Sequence, residues 1–151
     1  MAHLSMNSPL GGLTIFEESG SIVVIEWGRA ATPSPSPLLL EAKRQLDAYF
    51  DGQAKEFDLP VAPRGTPFQQ AVWALISAIP FGATRTYGDL ARRLRTAPRP
   101  VGGACGRNPI PIVIPCHRVV GSGGWRLGGY SGGQGVATKQ ALLCLEGQLL
   151  V

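Results

Sequence analysis

The chain has no C-x-x-C pair and only two histidines, His3 and His117. Structural zinc takes four closely spaced Cys or His ligands, so no bound metal is expected. The three cysteines, Cys105, Cys116 and Cys144, are an odd count and do not suggest a disulfide framework. A reducing compartment would keep them as thiols. No apolar run approaches the length of a membrane span. The N-terminus lacks a basic stretch followed by an apolar one, so no signal peptide is expected and a cytoplasmic location is the default. There is no internal repeat. What remains is an ordinary globular composition, 44% hydrophobic and 16% charged, in 151 residues. That length can bury a core without covalent staples.

The net charge of +4 is unevenly spread. Arg85, Arg92, Arg93, Arg95, Arg99, Arg107 and Arg118 fall in one short region, with Asp89 as the only acid among them. Such local charge suits a polyanion such as nucleic acid, and equally a solvated basic face. Charge alone does not separate the two.

The first third reads as strands, then a helix. Leu13–Phe16 and Ile22–Trp27 are β-rich runs around a Glu-Ser-Gly turn. "RAATPSPSPLLL" is a proline-serine loop. From Leu38 to Phe50 the spacing predicts a helix with Leu39, Ala42, Leu46, Tyr49 and Phe50 on one side, stopped by Asp51-Gly52. "KEFDLPVAPRGTP" is extended and expected to bridge two lobes, 1–62 and 63–151. Thr66-Pro67 then opens a second helix, with threonine as cap and proline in the first turn. Phe68 and Trp73 fit its core-facing spacing. "TYGDLARRL" and "RPVGGACGRNP" read as two short helices joined by a tight turn, a helix-turn-helix candidate. Gly102 and Gly103 each cost about 1 kcal/mol in a helix against alanine. Close approach to DNA or to a neighbouring helix would offset that cost. The glycine-rich "GWRLGGYSGGQGV" precedes a last helix, "ATKQALLCLEG", with Leu142, Leu143 and Leu145 expected against the core. Cys105 and Cys144 read as small structural hydrophobes on helices.

The informative stretch is "PIPIVIPCHRVV". Prolines fence an apolar run that delivers Cys116, His117 and Arg118 in succession. A thiol is a weak nucleophile at neutral pH unless a base or positive surroundings favour thiolate. His117 is the obvious base. In an extended segment, however, successive side chains point to opposite faces, so the two could cooperate only at an irregular turn or through a water. Asp89 and Glu146 are the acids of the C-terminal half, and Glu146 is the choice to orient the imidazole. A Cys-His pair alone equally fits an inert buried cysteine.

"NPIPIVIPCHRVVG" resembles the active-site signature of the O6-alkylguanine-DNA alkyltransferases, or methylated-DNA–protein-cysteine methyltransferases. "GTPFQQAVWALISAIPFGATRTYGDLA" and "GGYSGG…K…LLCLEG" resemble the same family in the same order, from about Gly65 to Gly147. Over the first sixty residues only "SPLGGLTI" and "LDAYFDGQ…FDLP" are similar. The resemblance implies an α+β protein: a small N-terminal α/β lobe with a short antiparallel sheet and a helix, then a mainly helical domain carrying the helix-turn-helix and the cysteine loop. It implies repair of DNA by direct damage reversal. Cys116 would accept the alkyl group of O6-alkylguanine, and of O4-alkylthymine, in an SN2 displacement, with one turnover per molecule and no cofactor. His117 would act as base through a water, Glu146 would orient it, and Asn108 would brace the turn. Tyr87 would assist nucleotide rotation. The Cys116 and Val119 carbonyls would accept from the guanine amino group, and the Tyr130–Ser131 loop would close over the base. Arg118 is placed with these substrate-binding residues. Arg99 would fill the gap left in the base stack. Pro100, Gly102, Gly103, Thr86 and Arg107 would lie on the DNA side, with the second helix in the minor groove. The implied partner is double-stranded DNA containing alkylated guanine, bound by a monomer, with cooperative binding left open and no membrane involved.

The chain departs from the family pattern in three places. Only nine residues separate Ala91 from Val101, a shorter turn than is common. Pro100 replaces a small residue, and the loops around Gly121–Tyr130 and Gly132–Lys139 are longer. The Cys-lacking relatives that bind lesions without repairing them carry tryptophan at the acceptor position, where this chain has cysteine. A second reading is a recognition module in which Cys116 is inactive and another pathway is signalled. A third is a cysteine hydrolase, against which the lack of a G-x-C or oxyanion-loop signature counts. No adaptive-response activator is expected, because no regulatory zinc domain precedes the catalytic lobe.

Overall fold

The structure is a computed structural model that describes residues 1–30, 33–124 and 126–148. Ala31 and Thr32 of the proline-serine loop and Trp125 of the glycine-rich loop lie outside them. The chain forms two compact units, Met1–Arg64 and Gly65–Val151.

The first unit is a three-stranded antiparallel sheet, β1 (Ala2–Ser8), β2 (Gly11–Glu18) and β3 (Ser21–Trp27), covered by α1 (Pro37–Phe50). The β2–β3 hairpin turns on Ser19 and Gly20, both at positive φ (53° and 82°). That is the two-residue turn whose twist matches the flanking strands. β1 has no counterpart in the sequence reading: only Met6 of its residues is buried, so it has little of the apolar alternation that marks a strand. It is fixed instead by ladder bonds to β2 over Ala2–Ser8. The face of α1 expected inward is inward, and Gln45 joins it. The Gln45 amide is satisfied in its buried place by the Asp58 backbone, donating to its carbonyl at 3.0 Å and accepting from its N–H at 2.8 Å. The extended segment after it does more than bridge. Ile22 of β3 donates to the Pro60 carbonyl at 2.8 Å and accepts from Ala62 N–H at 2.9 Å, so this stretch extends the first sheet.

The second unit begins with α2 (Pro67–Ser77). Thr66 and Gln69 close a reciprocal capping box, and Pro67 occupies the first turn, where its missing N–H is no loss. Trp73 is 2% exposed, and its indole N–H donates to the Ala104 carbonyl at 2.9 Å. That bond ties α2 to α4 (Pro98–Gly106). Between them lies α3 (Tyr87–Leu94), with a three-residue connection in which Arg95 adopts the left-handed conformation. A short parallel pair, β4 (Arg85–Thr86) with β5 (Val119–Val120), clips the start of α3 beside the cysteine turn. α5 (Val136–Leu145) closes the unit. Its buried face is Thr138, Lys139, Leu142 and Leu143, while Leu145 and Cys144 are exposed. Two expectations are thereby corrected. At 3.6 residues per turn, positions 139, 142, 143 and 146 share a stripe that 144 stands well away from, and 145, seven residues after Thr138, lies only at its edge on the last turn.

The capping box is a local device and can be tested locally. Thr66→Ala should lower stability by about 1 kcal/mol. Urea denaturation of the full chain should show a shifted midpoint with an unchanged slope.

Candidate active site

The stretch from Asn108 to Arg118 is held by its own backbone. Asn108 donates from Nδ2 to the Ile114 carbonyl at 2.8 Å and accepts at Oδ1 from Ile110 N–H at 3.0 Å, joining both ends of the loop. Ile112 sits at φ 75°, with Val113 N–H bonded to the Pro111 carbonyl at 2.9 Å. This is a γ-turn of the strained hand, and a β-branched residue there is an outlier. Pro115 (φ −82°, ψ 64°) forms a relaxed γ-turn, with Cys116 N–H on the Ile114 carbonyl at 2.8 Å. Strain of this kind persists only where the surroundings over-determine it.

Cys116–Arg118 is then a single 3₁₀ turn, not an extended strand. Three residues per turn send the three side chains in three directions. Cys116 faces a cavity of about 690 Å³. His117 is fully buried behind it, with Nε2 2.7 Å from Glu146 Oε2. A carboxylate only accepts, so Nε2 carries the proton and Nδ1 is the bare acceptor. Nδ1 is buried with no protein hydrogen-bond partner. Arg118 turns away from the cavity. It donates from Nε to Glu146 Oε1 (2.8 Å), from Nη2 to Glu146 Oε2 (3.0 Å) and from Nη1 to the Ile79 carbonyl (2.7 Å). It was expected to bind substrate and cannot, because its three donating groups are committed to buried partners.

The cavity is walled by Tyr87, Pro98, Arg99, Gly102, Cys105 and Gly106 from α3 and α4, and by Gly129, Tyr130 and Ser131 from the glycine-rich loop. Val119 does not line it: its carbonyl, expected at the base, accepts from Lys139 Nζ at 2.6 Å. Lys139 also donates to the Gly129 carbonyl (3.0 Å) and the Tyr87 hydroxyl (3.3 Å). One buried ammonium thus joins α5, the cysteine turn, the loop and α3. Gly128, at φ 73°, lies where a Cβ would stand 2.8 Å from the Tyr87 ring, so the loop passes there only as glycine. Ser131 Oγ donates to the Gly106 carbonyl at 3.1 Å, fastening the loop to α4. Arg99, Pro100, Gly103 and Arg107 are exposed, and a Cβ at Gly103 would meet nothing within 4 Å. Thr86 is the N-cap of α3, with Oγ1 accepting from Asp89 N–H at 3.0 Å.

Burial sets the protonation states. It pushes the Cys116 thiol up, against opposing pulls from Asn108, Lys139 and Tyr130. It lifts Cys105 to about 12, with the neighbouring Cys116 adding to the effect. Tyr87 is likewise pushed up by burial to about 12 and stays a donor at neutral pH. Lys139 is brought down by burial to about 8, which leaves it mostly charged at pH 7. His117 is lowered by burial, while Glu146 pulls the other way and Arg118 and Lys139 reinforce the lowering. The resting site therefore holds a protonated thiol and a neutral imidazole.

A family model described as "6-O-methylguanine DNA methyltransferase, DNA binding domain" matches residues 67–148, and the "ribonuclease-like domain" of the same name matches 1–63. The chain belongs to this methyltransferase family. It is 51% identical over 109 residues to a methylated-DNA–protein-cysteine methyltransferase of Methanosarcina acetivorans, covering 71% of this chain and 68% of that one. It is 39% identical over 157 residues to the constitutive methylated-DNA–protein-cysteine methyltransferase of Bacillus subtilis, covering 95% and 94%. The crystal structure of Mycobacterium tuberculosis OGT in complex with DNA superposes with a TM-score of 0.86 at 40% identity, covering 97% of this chain and 92% of that one.

For a methyltransferase of this family, the sequence reading missed two residues at the site. Lys139 is one; its signal was a lysine on the apolar stripe of α5, in register with Leu142, Leu143 and Glu146. Cys105 is the other, read as structural but lining the cavity with Cys116. Among the described residues, no His, Cys, Asp or Glu cluster could hold a metal ion, and no helix is long and apolar enough to cross a membrane.

His117 predicts an acid limb of stability. Its folded value lies below the ordinary 6.5, so the unfolded chain takes up a proton that the native state refuses. The contribution is whole above pH 6.5 and drains away as pH falls from there towards the folded value. Urea midpoints measured across that window should fall with pH, and the fall should be smaller in His117→Gln.

Proposed function

We propose that the protein repairs alkylated DNA by taking the alkyl group from O6 of guanine, and from O4 of thymine, onto Cys116. The observation that carries this reading is the division of one 3₁₀ turn: its first side chain faces a cavity sized for a small ligand, and its second a buried carboxylate. In the step itself the Cys116 sulfur bonds to the alkyl carbon as the carbon–O6 bond breaks, and the electron pair leaves with the oxygen. The thiol proton passes to His117 Nδ1 through a water, and the departing base, left as an anion, takes one proton from solvent to become the unmodified base. The product is a thioether, which water does not cleave under mild conditions, so each molecule reacts once.

An atom inside the base stack is out of reach, so the nucleotide must be extruded, at a cost of a few kcal/mol. Arg99 fills the gap, a role supported by its exposed position at the cavity rim on the first turn of α4. The open surface over Gly103 supports the approach of the duplex rather than of a neighbouring helix, with α4 in the minor groove. Phosphate contacts from Arg92, Arg93 and Arg107 carry no sequence information, which suits a search of any sequence. Tyr87 donates to the flipped base, and the Gly129–Ser131 loop covers it. We assign the DNA-binding and acceptor domain to residues 63–151, and a cytoplasmic monomer as the acting form.

The test is intact-protein mass spectrometry after mixing with duplex DNA that carries one O6-methylguanine. One methyl on Cys116, located by digestion, with unmodified guanine left behind is the expected result, and none in Cys116→Ser. Tight lesion binding without a mass change would favour the recognition-module reading. Separately, Gly103→Leu should hold or raise stability by about 0.5–1 kcal/mol, since glycine is a poor helix residue. It should also weaken duplex binding about tenfold, or about 1.4 kcal/mol, in a fluorescence anisotropy titration.

A further inference from the structure

We propose that Arg118 is a positioning residue for the transfer, one that neutralises the Glu146 carboxylate so that Glu146 aims His117 without holding a proton on it. The inference rests on the reading above, in which His117 must accept the thiol's proton. Its basis is geometric. One carboxylate, 5% exposed, serves two nitrogen bases that share the same turn. Oε2 meets both His117 Nε2 and Arg118 Nη2, while Oε1 takes Arg118 Nε, so the guanidinium grips both oxygens as a planar fork. The Ile79 carbonyl holds the third guanidinium nitrogen and fixes the fork in place.

The consequence follows from the cost of buried charge. A carboxylate facing a neutral imidazole in a water-poor interior is an uncompensated ion. Its nearest remedy is a proton on that imidazole, which makes an ion pair. An imidazolium has no lone pair left for the thiol's proton, so a carboxylate partner acting alone would orient the base and disable it together. Arg118 removes the conflict, because an arginine carries its charge at any working pH. Among the described residues, Lys139 from α5 is the other charged group that acts on His117, and it also disfavours a proton there, while Cys116 of the same turn faces the cavity. Lys139 is engaged with the Val119 and Gly129 carbonyls and does not touch Glu146 in the way Arg118 does. The arginine of the turn therefore acts on the reaction without reaching the substrate.

The experiment is an NMR titration of the imidazole ring signals in the whole chain without DNA. There are only two histidines, and His3→Gln leaves His117 alone. In that background His117 should take up its proton below pH 6.5. In Arg118→Met it should take up its proton about one pH unit higher, or more. The low-pH limb of methyl transfer should move up with it. Between the old midpoint and the new one the rate should fall about tenfold for every pH unit below the new one. In Arg118→Met/Glu146→Gln neither charge remains, and the titration should return towards that of the parent. A merely structural arginine would not produce this reversal. If Arg118→Met does not fold, Arg118→Gln asks the same question while keeping a donor for Glu146. An unchanged His117 titration in a folded Met or Gln variant overturns the proposal, as does an upward movement that persists in the double variant. Because the titration needs no DNA, its failure is distinct from a failure of alkyl transfer.

Discussion

The Glu146 carboxylate is the point on which the second unit turns. It closes α5, accepts from the imidazole of one residue and the guanidinium of the next, and through Arg118 reaches the carbonyl that follows α2. Burying a carboxylate costs several kcal/mol unless its oxygens are fully occupied. Here three nitrogen contacts occupy both of them. The same contacts set the direction of the 3₁₀ turn, and with His117 and Arg118 committed inward, Cys116 is left to face the cavity. The orientation of Cys116 is thus a consequence of where the ion pair is satisfied.

A second layer keeps the thiol in place and quiet. The Asn108 side chain and two γ-turns hold the loop, one of them with a β-branched residue at positive φ. Lys139 braces the site from behind, with one ammonium bonded to the Val119 and Gly129 carbonyls and to the Tyr87 hydroxyl. Burial holds the resting thiol protonated. For a protein proposed to react once, that has a physical advantage. Thiolate is the form that oxidants attack, and here it would form only as a substrate displaces water from the cavity and His117 takes the proton.

The helical pair α3–α4 divides local from tertiary support in the same way. α3 carries its own capping box at Thr86 and Asp89, and a left-handed arginine ends it. α4 begins with Pro98 and Pro100 in its first turn and has no side-chain cap, so its position depends on Trp73, which bonds the Ala104 carbonyl from α2. Beyond Arg99 and the two prolines of its first turn, the outer face of α4 carries only glycine, with Gly103 open to solvent. The three-residue connection between the helices turns at Arg95, which adopts the left-handed conformation.

The chain alone determined most of the helices, the inward face of α1, the capped start of α2 and the Pro-Cys-His-Arg turn with its acid. These are carried by periodicity, caps and a contiguous motif, all of which act over a few residues. It did not reveal β1, whose single buried side chain leaves no pattern and whose place comes from pairing with β2. It misplaced Leu145 and Cys144, because one turn of α5 can be rotated onto the core only by knowing what lies opposite. It also assigned Arg118 to the substrate and overlooked Lys139. Both are long cations whose partners, Glu146 and Ile79 in one case and Val119, Gly129 and Tyr87 in the other, lie far away in the chain. Adjacency in sequence singled out the groups to which the proposed chemistry is given. The direction in which each one points was decided only by the tertiary structure, because a buried charge goes where its counter-charge and acceptors have been brought by the rest of the fold.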